Sequence, residues 1–327
     1  MTRRQRGLSW IVLVIVLGIG FIGGGWWIFL QTGPLSAPHD VVVRRGDTSA
    51  VLRGLQDAGV MRRDLPDNVV FRLAVLATRS EGPLHAAELA FPAGSSIRQT
   101  IWILRHAPPV EHRLTIPEGL TARRMAGLLG NAPALGGPVP AIAEGSILPE
   151  TVSYTYGTSR AAIVRRLQHM MDQTLDDVWQ HRDPRVTLAD PRSMLILASI
   201  VERETGLPDE RPQVAQVFLN RLARGMRLQS DPTVIYDVSA GWGELDRPLD
   251  HADLAEDGPA NTYRLPGLPP MPICSPGRAA LEAVAHPASG DALYFVASGL
   301  GGHRFATTLD DHNRNIDAYH ASRVPGR

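Results

Sequence analysis

Glu202 is the residue best suited by its setting to acid–base chemistry. It lies near the end of the run Ala198–Gly206, ASIVERETG. The segment before it is nearly all apolar, and a carboxylate there is costly to ionise. A general acid working near neutral pH needs that property. Moving a Glu from ~4.3 to ~6.5 corresponds to ~3 kcal/mol against the charged form. Glu204 is two residues further on, about 200° around a helix, so the two carboxylates cannot converge on one bond. Glu204 is expected to face solvent or a basic partner such as Arg203 or Arg211. The helix then supplies one catalytic carboxylate at most. A plainer alternative is a Glu202 paired with an arginine across a helical hairpin, and residue type and position leave both open.

Asp231 precedes Pro232 in Gln229-Ser230-Asp231-Pro232-Thr233. Asp-Pro commonly starts turns, and the same strip has the polar groups to hydrogen-bond a sugar. His303 and His312 are nine residues apart across an expected turn, a spacing that matches no common zinc pattern, and HExxH is absent. No P-loop, no G-x-G-x-x-G after a strand and no G-x-S-x-G occurs, so neither metal nor cofactor is expected.

The elements that must hold Glu202 are well punctuated. Asp190 suits an N-cap, Pro191 the first helical position and Gly206 a C-terminal stop. Met194–Ala198, Ile200 and Val201 are apolar nearly all round, which predicts a buried helix. A second helix is expected over Pro212–Arg224, with Gly225 as its stop, making a helical hairpin. Ser159–Trp179 reads as an amphipathic helix. Short strands followed by a Gly turn and a Ser/Thr helix start are expected at Val41–Val43 with Gly46-Asp47-Thr48, at Ala87–Phe91 with Gly94-Ser95-Ser96, and at Arg113–Ile116 with Gly119-Leu120-Thr121. Towards the C-terminus, Ala279–Ala285 predicts a short helix, Ala292–Ala297 a buried strand and Asp310–His320 a terminal helix. The pattern is α+β.

The chain has 327 residues, with 33 basic and 33 acidic side chains. This balance argues against nucleic-acid binding. Cys274 is the only cysteine, so no disulfide forms within the chain. Residues 10–30 carry no charge and would span about 31 Å as a helix. Arg3, Arg4 and Arg6 precede that run, and no Lys or Arg follows until Arg44. This asymmetry puts residues 1–9 in the cytoplasm and the remainder across the membrane. A signal peptide cleaved near Ser36-Ala37 is the alternative, though its apolar core would be unusually long. Residues 31–40 read as a linker, 41–110 as a small α+β module and 111–327 as the domain carrying Glu202.

Nine segments together resemble one family. In order they are Ala198–Thr205 ASIVERET, Val217–Leu222 VFLNRL, Gly225–Tyr236 GMRLQSDPTVIY, Asn261-Thr262-Tyr263, Gly267–Pro270 GLPP, Ser275-Pro276-Gly277, Ala285-His286-Pro287-Ala288, Tyr294–Ala297 YFVA and Gly301–Phe305 GGHRF. This pattern is similar to the endolytic murein transglycosylase (YceG-like) family. The resemblance implies a single N-terminal transmembrane helix, a lysin-motif-like module at 41–110, suggested only by Val43–Thr48 VRRGDT, and a mixed α+β catalytic domain at 111–327. Its helical hairpin would carry the catalytic Glu202. One segment departs: Glu144–Thr151, EGSILPET, lacks the aromatic cluster of the family, and with it the rings for sugar stacking at that edge.

The resemblance implies cleavage of the β-1,4 bond between N-acetylmuramic acid and N-acetylglucosamine within nascent glycan strands, leaving 1,6-anhydro ends and terminating strands in wall assembly. A single carboxylate fits, because the muramic 6-hydroxyl can attack its own anomeric carbon with no positioned water. Gln229, Ser230, Asp231, Asn261 and Tyr263 are expected to line the cleft, with Asn220 a further candidate that could instead tie the hairpin together. Partners would be peptidoglycan glycan strands, the membrane and, by resemblance, cell wall synthases. The expected location is the inner membrane, single-pass, with the catalytic domain periplasmic. The rivals are a hydrolytic muramidase, with Asp231 as the carboxylate facing Glu202, and a non-catalytic wall-binding scaffold.

Overall fold

The uncharged run folds as α1 (Arg3–Leu30), and Val12–Leu30 has a mean hydropathy of 2.2 and is long enough to cross a bilayer. The computed structural model describes residues 3–299 and 301–323. The side chains of Arg3, Arg4 and Arg6, on which the expected orientation rests, lie outside what is described, as do residues 1, 2, 300 and 324–327. The chain divides into two units, Met1–His112 with Ser153–Gly157, and Arg113–Val152 with Thr158–Arg327.

In the first unit, β1 (His39–Val42) and β2 (Glu88–Phe91) pair antiparallel, from His39 opposite Phe91 to Val42 opposite Glu88. Period-two alternation buries Val41, Leu89 and Phe91 on one face. Between the strands run α2 (Thr48–Asp57) and α3 (Leu65–Ala77), and α4 (Ile97–His106) follows. Asp47, one residue before the expected Thr48, caps α2 by accepting from the Ala50 N–H. Its carboxylate is the stronger acceptor for amides at a helix N-terminus. Ser96 and Gln99 form a reciprocal capping box on α4. Asp64 caps α3, with Pro66 in its first turn. Leu55, Phe71, Leu89, Phe91 and Leu104 form the core, and Ile28 and Phe29 from the end of α1 pack on it.

β3 (Glu111–Thr115) and β4 (Thr151–Thr155) form a two-stranded sheet, and the residues of each strand are divided between the two units. In the second unit, α5 (Ala122–Asn131) is capped by Thr121, and α6 (Arg160–Gln180) by Ser159. α7 (Pro191–Glu204) starts at its Asp190 cap as expected. It ends because Thr205 turns extended at φ −140°, so Gly206 is not the stop. α8 (Arg211–Ala223) does end on its glycine. Gly225 takes φ +65°, and the Met226 N–H closes back on the Arg221 carbonyl at 2.8 Å.

The core is built around α7. Met194, Leu197, Ala198, Ile200 and Val201 are fully buried against Val214, Ala215 and Phe218 of α8 and Ala280, Leu281 and Val284 of α11 (Arg278–Ala285). Large aliphatic side chains buried this way contribute about 1.5–3 kcal/mol each. α9 (Asp231–Val238) and α10 (His251–Ala255) lie between α8 and α11 in sequence. β5 (Tyr294–Ala297) and β6 (His303–Ala306) pair antiparallel, and α12 (Leu309–Arg323) closes the described chain. β5 is half-buried, not fully buried as its apolar run suggested.

Candidate active site

Three chain segments converge on the end of α7. After β3 the chain makes the turn Pro117-Glu118-Gly119, with Gly119 at φ +73°. The Gly119 N–H donates to the Ser275 carbonyl at 3.0 Å, and the Ser275 N–H to the Leu120 carbonyl at 2.9 Å. These two hydrogen bonds zip the turn carrying Glu118 to the segment ending at Gly277. Arg203 braces the same turn, donating to the carbonyls of Gly119 at 3.4 Å and Gly243 at 2.6 Å. The Ile273 N–H donates to the Ser199 hydroxyl at 3.1 Å, fixing that segment along α7.

Glu202 sits at this convergence with its side chain 5% exposed. One oxygen accepts from the Gly277 N–H at 2.9 Å, and the other lies 3.2 Å from an Arg211 guanidinium nitrogen. That same nitrogen is 3.6 Å from a carboxylate oxygen of Glu118. Burial pushes the Glu202 carboxyl above its ordinary value, and Glu118 adds to this, while the Gly277 N–H, Arg211 and Arg203 pull it back. The expected hairpin arginine is therefore present, yet the net effect favours the protonated acid. A Cβ on Gly277 would overlap the Glu118 carboxylate, so only glycine leaves room for Glu118 beside Glu202.

Glu118 was not anticipated. Its signal was its position directly before the Gly119 turn. Asp231, the carboxylate that the hydrolytic alternative would set facing Glu202, accepts from the Tyr263 hydroxyl at 2.6 Å and lies close enough to Glu204 to raise its pKa. Glu204 corrects an expectation. It meets neither Arg203 nor Arg211; its carboxylate accepts from the Ser230 hydroxyl. Burial pushes its pKa up to about 7, with Asp231 adding and Ser230 and Arg221 opposing.

Because this value lies above that of an unfolded glutamate, Glu204 favours the fold most at low pH. That contribution declines as pH rises from about 4.5 through about 7. Glu204→Gln keeps a carbonyl for Ser230 and removes the titration. Its stability, from urea melts at pH 5, 6 and 7, should fall less with pH than the parent's, by up to about 1.4 kcal/mol per unit. Parallel pH profiles would refute this.

The polar strip is split between open and internal groups. Gln229 is exposed and holds φ +50°, a strained conformation that such sites can carry. Asp231 is exposed and Tyr263 half-buried. Ser230 is buried on Glu204, and its N–H donates to the Thr262 hydroxyl at 2.9 Å. Asn261 is buried, donating to the carbonyls of Leu254 at 3.2 Å and Glu256 at 2.7 Å. Asn220 donates to the carbonyls of Gly290 at 3.1 Å and Ala292 at 3.0 Å, tying α8 to the start of β5. Asp231-Pro232 opens α9 and not an isolated turn. His303 donates its backbone N–H to Glu210 at 2.7 Å and pairs its ring with that carboxylate at 2.8 Å, while His312 stacks on Tyr294.

Ile147 and Leu148, in the segment lacking aromatics, are buried in the core. Glu144 there accepts from the Ala122 N–H at 2.9 Å and the Tyr236 hydroxyl at 3.1 Å, and burial raises its pKa. Gly145 at φ +74° lets Pro272 approach where a Cβ would clash. This stretch supports the site from inside. An exposed ring stands elsewhere: Trp242 is 48% exposed, next to the Gly243 that binds Arg203, with the Arg123 guanidinium over its face at 4.5 Å.

Residues 41–318 match the YceG-like family model. The endolytic murein transglycosylase of Bacillus subtilis is 35% identical over 181 residues, covering 55% of this chain and 49% of that protein. That of Streptococcus pneumoniae is 31% identical over 184 residues, covering 55% of this chain and 33% of that protein. In each case the matched region is half or less of the relative's length. The crystal structure of a yceG-like protein of Listeria monocytogenes superposes with a TM-score of 0.53 at 25% identity, over 85% of this chain and 98% of that one. With most of its length matched by the family model, and a mixed α+β fold like that structure, the chain belongs to the YceG-like family.

Proposed function

We propose that this protein is a membrane-anchored endolytic lytic transglycosylase, cleaving the N-acetylmuramic acid–β-1,4–N-acetylglucosamine bond within glycan strands and leaving 1,6-anhydro ends. The observation that carries the reading is the buried Glu202 carboxyl, biased towards protonation and held by the Gly277 N–H. The similarity to two proteins named endolytic murein transglycosylase supplies the substrate class.

Glu202 donates its proton to the leaving glycosidic oxygen, and the bond breaks through an oxocarbenium-like state. The muramic 6-hydroxyl then adds to the anomeric carbon, and the Glu202 carboxylate takes up its proton. Arg211 stabilises the carboxylate after proton loss. Gln229, Asp231 and Tyr263 form the open edge of the glycan cleft, and Trp242 offers a ring for a sugar face. Ser230, Asn261 and Asn220 keep that edge in shape through their internal bonds. α1 anchors the chain in the inner membrane with the catalytic domain outside. The β–α–α–β order of the first unit supports a lysin-motif-like module. Cell wall synthases are partners by resemblance alone.

Glu118 favours one second reading, a hydrolytic muramidase. Two carboxylates share one guanidinium nitrogen, and a two-carboxylate glycosidase needs about 5–9.5 Å between its pair. Digesting purified sacculi with the full-length protein and weighing the products separates the two. Anhydro ends support transglycosylation; reducing ends refute it. Glu118→Gln makes the same distinction. Losing this negative neighbour lowers the Glu202 pKa, so the alkaline limb of activity should move to lower pH with anhydro products retained. Each unit of movement costs about tenfold in protonated acid above the limb. Loss of all cleavage at every pH would instead make Glu118 a direct participant.

A further inference from the structure

We infer that the outward face of α3 is seated in the outer leaflet of the bilayer that α1 crosses, so that the first unit docks on the membrane by a second helix. The inference rests on the reading of α1 as a membrane span. α3 exposes an apolar stripe at helical spacing, with Leu65 79%, Val69 46%, Leu73 55% and Leu76 58% exposed. Its opposite face is already used: Phe71 is fully buried in the core of the unit, with Val70 and Ala74 packed beside it. A water-facing helix has no reason to carry that stripe, and a contiguous exposed apolar face marks an interaction site.

The occupant follows from the neighbour. α3 packs along α1, and one apolar groove is lined by Phe21, Ile22 and Trp26 of α1 and by Leu65, Val69 and Leu73 of α3. The groove reaches down α1 as far as Gly20. At 1.5 Å per residue, Gly20 lies about 15 Å below Leu30, half the thickness of a ~30 Å hydrocarbon core. A span running to Leu30 therefore draws α3 to membrane depth.

The polar groups agree. Trp26 and Trp27 are 63% and 67% exposed, as rings at a headgroup boundary are. Asp67 in the first turn of α3 is bonded to Gln31 just past the end of α1, and paired with Arg62. Arg72, at the edge of the stripe, is long enough to snorkel to lipid phosphate. A helix satisfies its own backbone, so α3 enters lipid without stranding peptide groups.

The test uses the full chain in liposomes, with a thiol-reactive fluorophore at Leu73→Cys or Val69→Cys and a control at Arg165→Cys on the exposed side of α6. Cys274 is buried, and labelling of the unsubstituted chain measures its background. Lipids carrying a nitroxide on the acyl chain should extinguish most emission at Leu73→Cys and Val69→Cys, and aqueous iodide little of it. Arg165→Cys should behave in reverse. Iodide quenching at Leu73→Cys equal to the control, in protein that resists alkaline extraction, overturns the docking and leaves the span standing. Disulfide cross-linking between two Leu73→Cys chains without lipid quenching means a second copy covers the stripe, and also overturns it. Release of the protein by alkali overturns the span and the docking with it.

Discussion

Glu202→Gln should lower glycan cleavage by about 10²–10⁴-fold, the usual contribution of a general acid. Glutamine keeps the size of the side chain and an oxygen for the Gly277 N–H, now 2.9 Å from the carboxylate. What it lacks is a proton to give to the leaving oxygen. The substitution also removes a carboxyl whose ionisation burial opposes, and Arg211 keeps Glu118 as its partner. Folding stability is therefore expected to hold or rise. Activity on sacculi and a thermal melt of the same preparation read both effects. Cleavage at the parent rate would sink the catalytic assignment. Loss of cleavage with cellular function intact would favour a scaffold.

Arg221→Met should carry the largest loss of stability among single changes near the site. Arg221 is buried and donates to the Leu293 carbonyl at 2.7 Å and the Leu228 carbonyl at 2.5 Å. It thereby ties α8 to the chain entering β5 and to the start of the polar strip. Methionine fills much of the volume but leaves both carbonyls without a donor. Hydrogen bonds to a charged group are worth about 1.5–3 kcal/mol each, so a loss of about 3 kcal/mol or more is expected in urea melts. Arg221 also opposes the raised pKa of Glu204, so its removal should push that pKa higher and steepen the fall of stability with pH. A loss below 1 kcal/mol would mean water takes over these carbonyls at little cost.

The two effects separate chemistry from support. Glu202 is the acid of the proposed glycan-cleaving site, and burial opposes its ionisation. Arg221 has no part in the proposed reaction and holds the strip beside it. A variant series on both should show activity without a stability change in the first case, and stability with a secondary activity change in the second.

Local elements were legible because their causes are local. Asp190 and Pro191 open α7, Ser159 caps α6 and Gly225 closes α8 through groups a few residues apart in the chain. The apolar run of α1 was equally plain. α3 was missed although Asp64 and Pro66 mark its start, because its outer stripe blurs the amphipathic period that usually marks a soluble helix. α7 ends at Thr205, which is extended and accepts the Leu207 N–H on its hydroxyl at 3.1 Å, a side-chain bond that the Gly206 stop did not foretell.

By itself the sequence determined which carboxylate to watch, since the apolar surroundings of Glu202 and the ordered motifs around it are properties of the chain. Only the tertiary structure decided what stands beside it. Gly277, 75 residues away, provides its amide donor, and Glu118 arrives on a turn zipped to Ser275. Arg211 pairs with Glu202, as the hairpin alternative allowed, whereas Glu204 is held by the Ser230 hydroxyl and, among the described residues, by no arginine contact of its own. The reason is physical: helical angle says that two glutamates diverge, but burial and the partners met on each side are set by distant segments closing on one core.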